Sequence, residues 1–91
     1  MTDAVQITLL TKDDCDFCDH AKQVLRQLGD TYPLQVTEID LGSHEGQQLA
    51  RTAGVLFAPG VLVDGRPFSY GRLSERKLRR TLDKRLPQHS G

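Results

Sequence analysis

The sequence predicts a single α/β domain: a mixed four-stranded sheet with helices on both faces, its elements in the order β-α-β-α-β-β-α. Three observations carry this expectation. A period-two apolar run, a helical apolar stripe and a second strand-like run follow one another over residues 5–39. The pair Asp64-Gly65 separates two short strand-like runs. Leucines at four-residue spacing then end the chain's last patterned segment.

Each element has a local reason. Val5, Ile7 and Leu9 alternate with Gln6, Thr8 and Leu10, the pattern of a strand. After the turn Lys12-Asp13-Asp14, the residues Phe17, Cys18, Ala21, Val24, Leu25 and Leu28 fall at helical spacing and make one apolar stripe. Gly29 suits a left-handed cap at the end of that helix. Leu34 to Ile39 reads as the second strand; its apolar phase slips between Val36 and Ile39, which points to a bulge or an edge position. Ser43 is a good N-cap for a short helix through about Thr52, weakened by Gly46.

Val61-Leu62-Val63, Asp64-Gly65 and Arg66 to Tyr70 form the clearest hairpin signal, because Asp-Gly accepts the positive φ angles of a two-residue turn. Pro67 has no N–H to give a ladder, so the last strand belongs at a sheet edge. Ser74 caps a final helix with Leu73 and Leu78 as its hydrophobic staple, and Leu78, Leu82 and Leu86 form its buried stripe. A strand, crossover helix and strand give a right-handed parallel pair; the hairpin adds an antiparallel one. The domain is expected over 1–86 and a flexible tail over 87–91.

Composition narrows the function. With 37% apolar and 26% charged residues, the chain suits a soluble globular domain and is too apolar for a disordered one. The amino terminus carries Asp3 and lacks a basic region and a small-residue cleavage site, so no signal peptide is expected. No apolar run reaches the roughly 18 residues of a membrane span. These features predict a cytoplasmic monomer without membrane contact. The net charge of zero conceals a balance of −6 over residues 1–65 and +6 over 66–91.

The only two cysteines, Cys15 and Cys18, bracket Asp16-Phe17 where the first strand gives way to a helix. Residues three apart on a helix have β-carbons about 5–6 Å apart, and a disulfide spans Cα atoms about 4.4–6.8 Å apart. The pair can therefore close and open with little backbone movement. In a reducing compartment such a pair suits catalysis better than structural bracing. Cys15, at the helix start, is near free N–H groups and the positive end of the dipole, both of which favour a thiolate. Cys18 lies a turn deeper on the apolar stripe. Attack is therefore assigned to Cys15 and resolution to Cys18. Asp13, Asp14, Asp16 and Asp19 surround Cys15 and oppose a second anion, with Lys12 the nearby fixed cation.

With C-x-x-C after the first strand and Pro59 ahead of the third, the chain resembles the thioredoxin/glutaredoxin superfamily over nearly its whole length, and small bacterial glutaredoxin-like domains most closely. The resemblance implies the thioredoxin fold and a small dithiol-disulfide oxidoreductase. It also implies that the Ala58-Pro59 bond is cis and faces the cysteines, and that Lys12 helps hold the carboxylate of glutathione. Ala58 then offers its main chain to a substrate strand. The chain departs from the family at Asp16-Phe17, where thioredoxins resemble Cys-Gly-Pro-Cys and dithiol glutaredoxins Cys-Pro-Tyr-Cys. It departs again at Tyr70-Gly71-Arg72, which keeps one glycine of a glutathione-binding pair.

The expected substrates are protein or low-molecular-weight disulfides, with no cofactor beyond glutathione as a possible co-substrate. The electron donor stays open between glutathione and a flavin-dependent reductase. His20, His44 and His89 lack a second ligand pair, so no metal site is expected. The last helix carries Arg76, Lys77, Arg79, Arg80, Lys84 and Arg85, read as a solvated basic face or a dock for an acidic protein; no aromatic residue interleaves with them as nucleic-acid binding would need. Two other functions remain: a non-catalytic adaptor whose disulfide state controls docking, and an iron-sulfur carrier shared between two chains.

Overall fold

The computed structural model describes residues 4–85. Asp3, Leu86, His89 and the expected tail 87–91 lie outside them. The elements are β1 (Val5–Thr11), α1 (Asp16–Gly29), β2 (Leu34–Asp40), α2 (His44–Ala53), β3 (Gly60–Val63), β4 (Arg66–Tyr70) and α3 (Glu75–Arg85), in the expected order. The sheet runs β2-β1-β3-β4. β1 pairs with β2 in parallel and with β3 antiparallel, and β3 pairs antiparallel with β4.

Alternation of side chains divides the strands between two cores. On one face Val5, Ile7 and Leu9 of β1 and Val61 and Val63 of β3 meet Ala21, Val24, Leu25 and Leu28 of α1 and Leu78 and Leu82 of α3. On the other face Leu10 and Leu62 meet Ala50 of α2, with Leu49, Ala53, Val55 and Ile39 packed around them. Helices thus cover both faces, and every residue of β3 is buried. Tyr32 ties the α1–β2 turn to α3, its hydroxyl donating to Asp83 Oδ1 at 2.6 Å.

The slipped apolar phase of β2 has a simple cause. Leu34 packs on the first core and Ile39 on the second, so one strand serves opposite faces at its two ends. β2 is an edge strand and its register to β1 is unbroken, so no bulge lies there. The irregular register is in the other edge strand: Val61 faces Ser69 and Leu62 faces Pro67, leaving Phe68 between them. Pro67 is accommodated at this edge.

Two local expectations need correction. Gly29 is the last residue of α1 and takes no left-handed conformation; Asp30, at φ −73°, is the cap, its N–H reaching Gln27 and Leu28 carbonyls. The left-handed cap is on α2, at Gly54 with φ 72°. Phe17 leaves the α1 stripe and is 50% exposed, because it stands in the first turn, beyond the end of the sheet that the stripe covers. The hairpin turn is as expected, with φ 50° at Asp64 and 81° at Gly65. Ser43 and Ser74 cap their helices by accepting from Gly46 N (3.0 Å) and Lys77 N (3.2 Å), and Leu73 and Leu78 are both buried.

Candidate active site

The site forms at one end of the sheet. Leu10 of β1 is opposite Gly60 of β3, which is opposite Tyr70 of β4. The chain leaves this row through the Lys12-Asp13-Asp14 turn toward Cys15, enters it through Ala58-Pro59, and leaves again at Gly71. Register alone therefore brings the cysteine turn and the proline segment together, although they are more than forty residues apart in sequence. The Ala58-Pro59 bond is cis. The Pro59 carbonyl accepts from Gly71 N at 2.8 Å, which ties the proline turn to the end of β4.

Cys15 is the N-cap of α1, and its Sγ accepts the N–H of Cys18 at 3.1 Å. Its own carbonyl receives the N–H of Asp19 at 3.0 Å. The sulfur therefore occupies the place where a capping oxygen usually takes one of the free N–H groups of a first turn. Cys15 and Cys18 form a disulfide with Cα atoms 5.1 Å apart. Their surroundings differ sharply. Cys18 is 1% exposed, whereas Cys15 keeps part of its surface. Asp14 turns the chain into this cap with φ 53°, a left-handed conformation that aspartate tolerates better than most residues.

Asp13, Asp14, Asp16 and Asp19 are all exposed around the cap. Lys12 is exposed on the β2 side of the turn, where it lines a shallow cleft with Thr11, Asp13, Lys22, Glu38 and Asp40; Lys22 pairs with Glu38 at 3.6 Å. Lys12 thus shares its cleft with three carboxylates. On the other side Pro59 is fully buried and Ala58 is 7% exposed, while Leu56 and Phe57 stand out at 75% and 55%. The Ala58 main chain makes no hydrogen bond within the described residues. His20 lies farther along α1, in a groove with Arg72, Leu73, Ser74 and Glu75. Among the described residues no group of three or more His, Cys, Asp or Glu side chains is arranged to hold a metal ion.

The sequence reading gave Phe57 no role, and it placed Tyr70 and Gly71 only in the segment that keeps one glycine of a glutathione-binding pair. Phe57 and Tyr70 meet edge to face with ring centroids 5.0 Å apart, and Gly71, at φ 79°, leaves the room for it. Only the Gly60–Tyr70 register makes these residues neighbours, and no local pattern encodes it.

A disulfide at a helix N-cap, one sulfur partly exposed and one buried, on a β-α-β-α-β-β-α sheet with a cis-proline leading into the third strand defines a thioredoxin-fold domain of the thiol-disulfide type. The chain belongs to the family described as Glutaredoxin-like domain (DUF836), whose model matches residues 6–83. It is similar to a mutant thioredoxin from Halobacterium salinarum NRC-1, at 25% identity over 88% of this chain and 73% of that one, with a TM-score of 0.67. It also shares its fold with a malarial protein, at 18% identity over 91% and 98% of the two chains, with a TM-score of 0.68. No curated protein matches it. Among the described residues no helix is long and apolar enough to cross a membrane.

Proposed function

We propose that this protein is a dithiol-disulfide oxidoreductase acting on protein or low-molecular-weight disulfides in a reducing compartment. The observation that carries the reading is the asymmetry of the pair: Cys15 partly exposed on the N-cap with a helix N–H on its sulfur, Cys18 buried beneath it. In the reduced protein the Cys15 thiolate attacks one sulfur of the substrate. A mixed disulfide forms and the first substrate thiolate leaves, taking a proton from solvent. Cys18 then gives up its proton and attacks Cys15 Sγ, which releases the second substrate thiol and closes the Cys15–Cys18 bridge. Two electrons and two protons pass to the substrate.

The other site residues have supporting roles in this reading. Pro59 and Ala58 form the floor beside the sulfurs, and the unpaired main chain of Ala58 is a partner for a substrate backbone. Lys12 offers a cation to a carbonyl or carboxylate of the bound thiol compound. Glutathione or a flavin-dependent reductase restores the dithiol, and comparing the two as reductants of the oxidised protein identifies the donor.

Cys15→Ser is expected to abolish exchange, and Cys18→Ser to accumulate mixed disulfides through Cys15, read by mass spectrometry after incubation with a small disulfide. Equal trapping by both variants would overturn the assignment of roles. A redox-switched adaptor is favoured by one observation: Arg76, Lys77, Arg80 and Lys84 are exposed on α3 and make no ion pair among the described residues. Redox-dependent capture of an acidic partner without turnover is the outcome that selects it.

A further inference from the structure

The sheet end that carries Cys15 has a surface that the exchange chemistry does not require. Among the described residues the exposed large apolar side chains are Phe17, Val36, Leu56, Phe57 and Tyr70. Apart from Val36, they belong to the segments that frame the disulfide: Phe17 between the cysteines, Leu56 and Phe57 ahead of Pro59, and Tyr70 opposite Gly60. Apolar residues exposed singly are ordinary, but a group around one site marks a place of contact.

Phe57 is also held in place. It packs edge to face on Tyr70, and a Cβ at Gly71 would approach its Cε1 to 3.0 Å. Gly71 is in turn bonded to the Pro59 carbonyl. The ring is therefore packed along one side and open on the other. An apolar shelf of this kind beside the reactive sulfur rewards a substrate with an apolar side chain next to its cysteine.

Charge selects among such substrates. Asp13, Asp14, Asp16 and Asp19 are exposed on the cap; Lys12 and Lys22 line the adjoining cleft, where Lys22 pairs with Glu38, and Arg72 is exposed just after β4. Lys12 already stands among Asp13, Glu38 and Asp40. The approach to Cys15 is thus net negative. A net-anionic compound such as oxidised glutathione meets repulsion there, whereas a basic polypeptide is attracted, and like-charge juxtaposition is an effective way to exclude a wrong partner.

We infer that the disulfide taken by this site is borne by a cationic polypeptide segment with an apolar residue beside its cysteine, selected by Phe57 and Tyr70 on one side and by Asp13 and Asp16 on the other. This rests on the exchange reading above. The reaction is the same two-electron transfer: the Cys15–Cys18 dithiol becomes a disulfide, and the polypeptide disulfide becomes two thiols.

The test uses the reduced full chain in single turnover against matched peptide disulfides with Lys-Phe, Glu-Phe or Lys-Ser beside the cysteine, with oxidised glutathione and with neutral hydroxyethyl disulfide. Turnover of the neutral compound, lost in Cys15→Ser, establishes that exchange itself occurs. The Lys-Phe peptide is then expected to react about tenfold faster than the Glu-Phe peptide at low salt, on the order of several weak charge pairs, and the ratio is expected to shrink at high salt. The double variant Asp13→Asn/Asp16→Asn is expected to reduce that ratio, and Phe57→Ala to reduce the Lys-Phe to Lys-Ser ratio. Ratios are the readout because a change in Cys15 reactivity cancels from them. Equal rates for the peptides, or oxidised glutathione as the fastest, with the neutral compound turned over, would overturn the inference and leave the exchange reading standing. Failure of the neutral compound would overturn both.

Discussion

At the scale of single residues, the proposed chemistry concentrates on one sulfur. Cys15 Sγ receives the Cys18 N–H at 3.1 Å while exposed carboxylates, with Asp16 the next residue, surround it. The helix start favours a thiolate and the carboxylates oppose it. Asp16→Asn is therefore expected to lower the Cys15 thiol pKa, favour the reduced form and make the protein more oxidising by about 5–20 mV, the equivalent of one exposed charge pair. Thiolate absorbance against pH and a redox titration in thiol buffer measure the two effects, and both should weaken at high salt. An unchanged or raised pKa would show that Asp16 serves only the helix start. Cys15, Cys18 and Pro59 were legible in the sequence because each chemical type occurs at a recognisable place. Phe17 was not, since helical spacing says which face a residue is on but not where the covering sheet ends.

At the scale of elements, Gly46 shows how a close approach overrides propensity. Glycine inside a helix looked like a weakness, and alanine there improves intrinsic propensity by about 1 kcal/mol at most. Yet a Cβ on Gly46 would be 2.1 Å from the Asp40 carbonyl oxygen and 2.9 Å from the Leu41 Cα, both backbone atoms that cannot rotate away. The first turn of α2 is laid against the end of β2, with Ser43 accepting from Gly46 N and donating to the Asp40 carbonyl at 2.6 Å. Gly46→Ala must push α2 outward, and such overpacking costs about 1–3 kcal/mol. The clash should win, lowering the urea midpoint at unchanged m-value. A midpoint at or above that of the parent would mean that α2 tilts freely at its start. Elements themselves were legible from periodicity and caps; the tight crossing between two of them was not, because it depends on tertiary geometry.

At the scale of the whole molecule, Asp64 links parts that are distant in sequence. It begins the β3–β4 turn at φ 50°, its Oδ1 accepts Gln6 N at 2.9 Å, its N–H donates to Gln6 O at 2.7 Å, and its Oδ2 pairs with Arg85 at the end of α3. The turn was readable as Asp-Gly, but the clasp on β1 and α3 depends on sheet order and could not be read locally. The Gln6 N–H first, and then Arg85, hold the Asp64 carboxyl below the usual carboxylate range, against an opposing effect of burial. A carboxylate depressed in the folded state stabilises above its unfolded pKa, about 3.9, and loses that contribution as pH falls through the lower folded value. Asp64→Asn keeps an acceptor and tolerance of the positive φ, so at neutral pH it is expected to cost no more than about 1 kcal/mol. Below about pH 4 the parent should lose stability more steeply than the variant, and the two should converge. Urea midpoints of both proteins between pH 7 and pH 2 measure this. Parallel curves down to pH 2 would show that the clasp holds through its main-chain bonds alone.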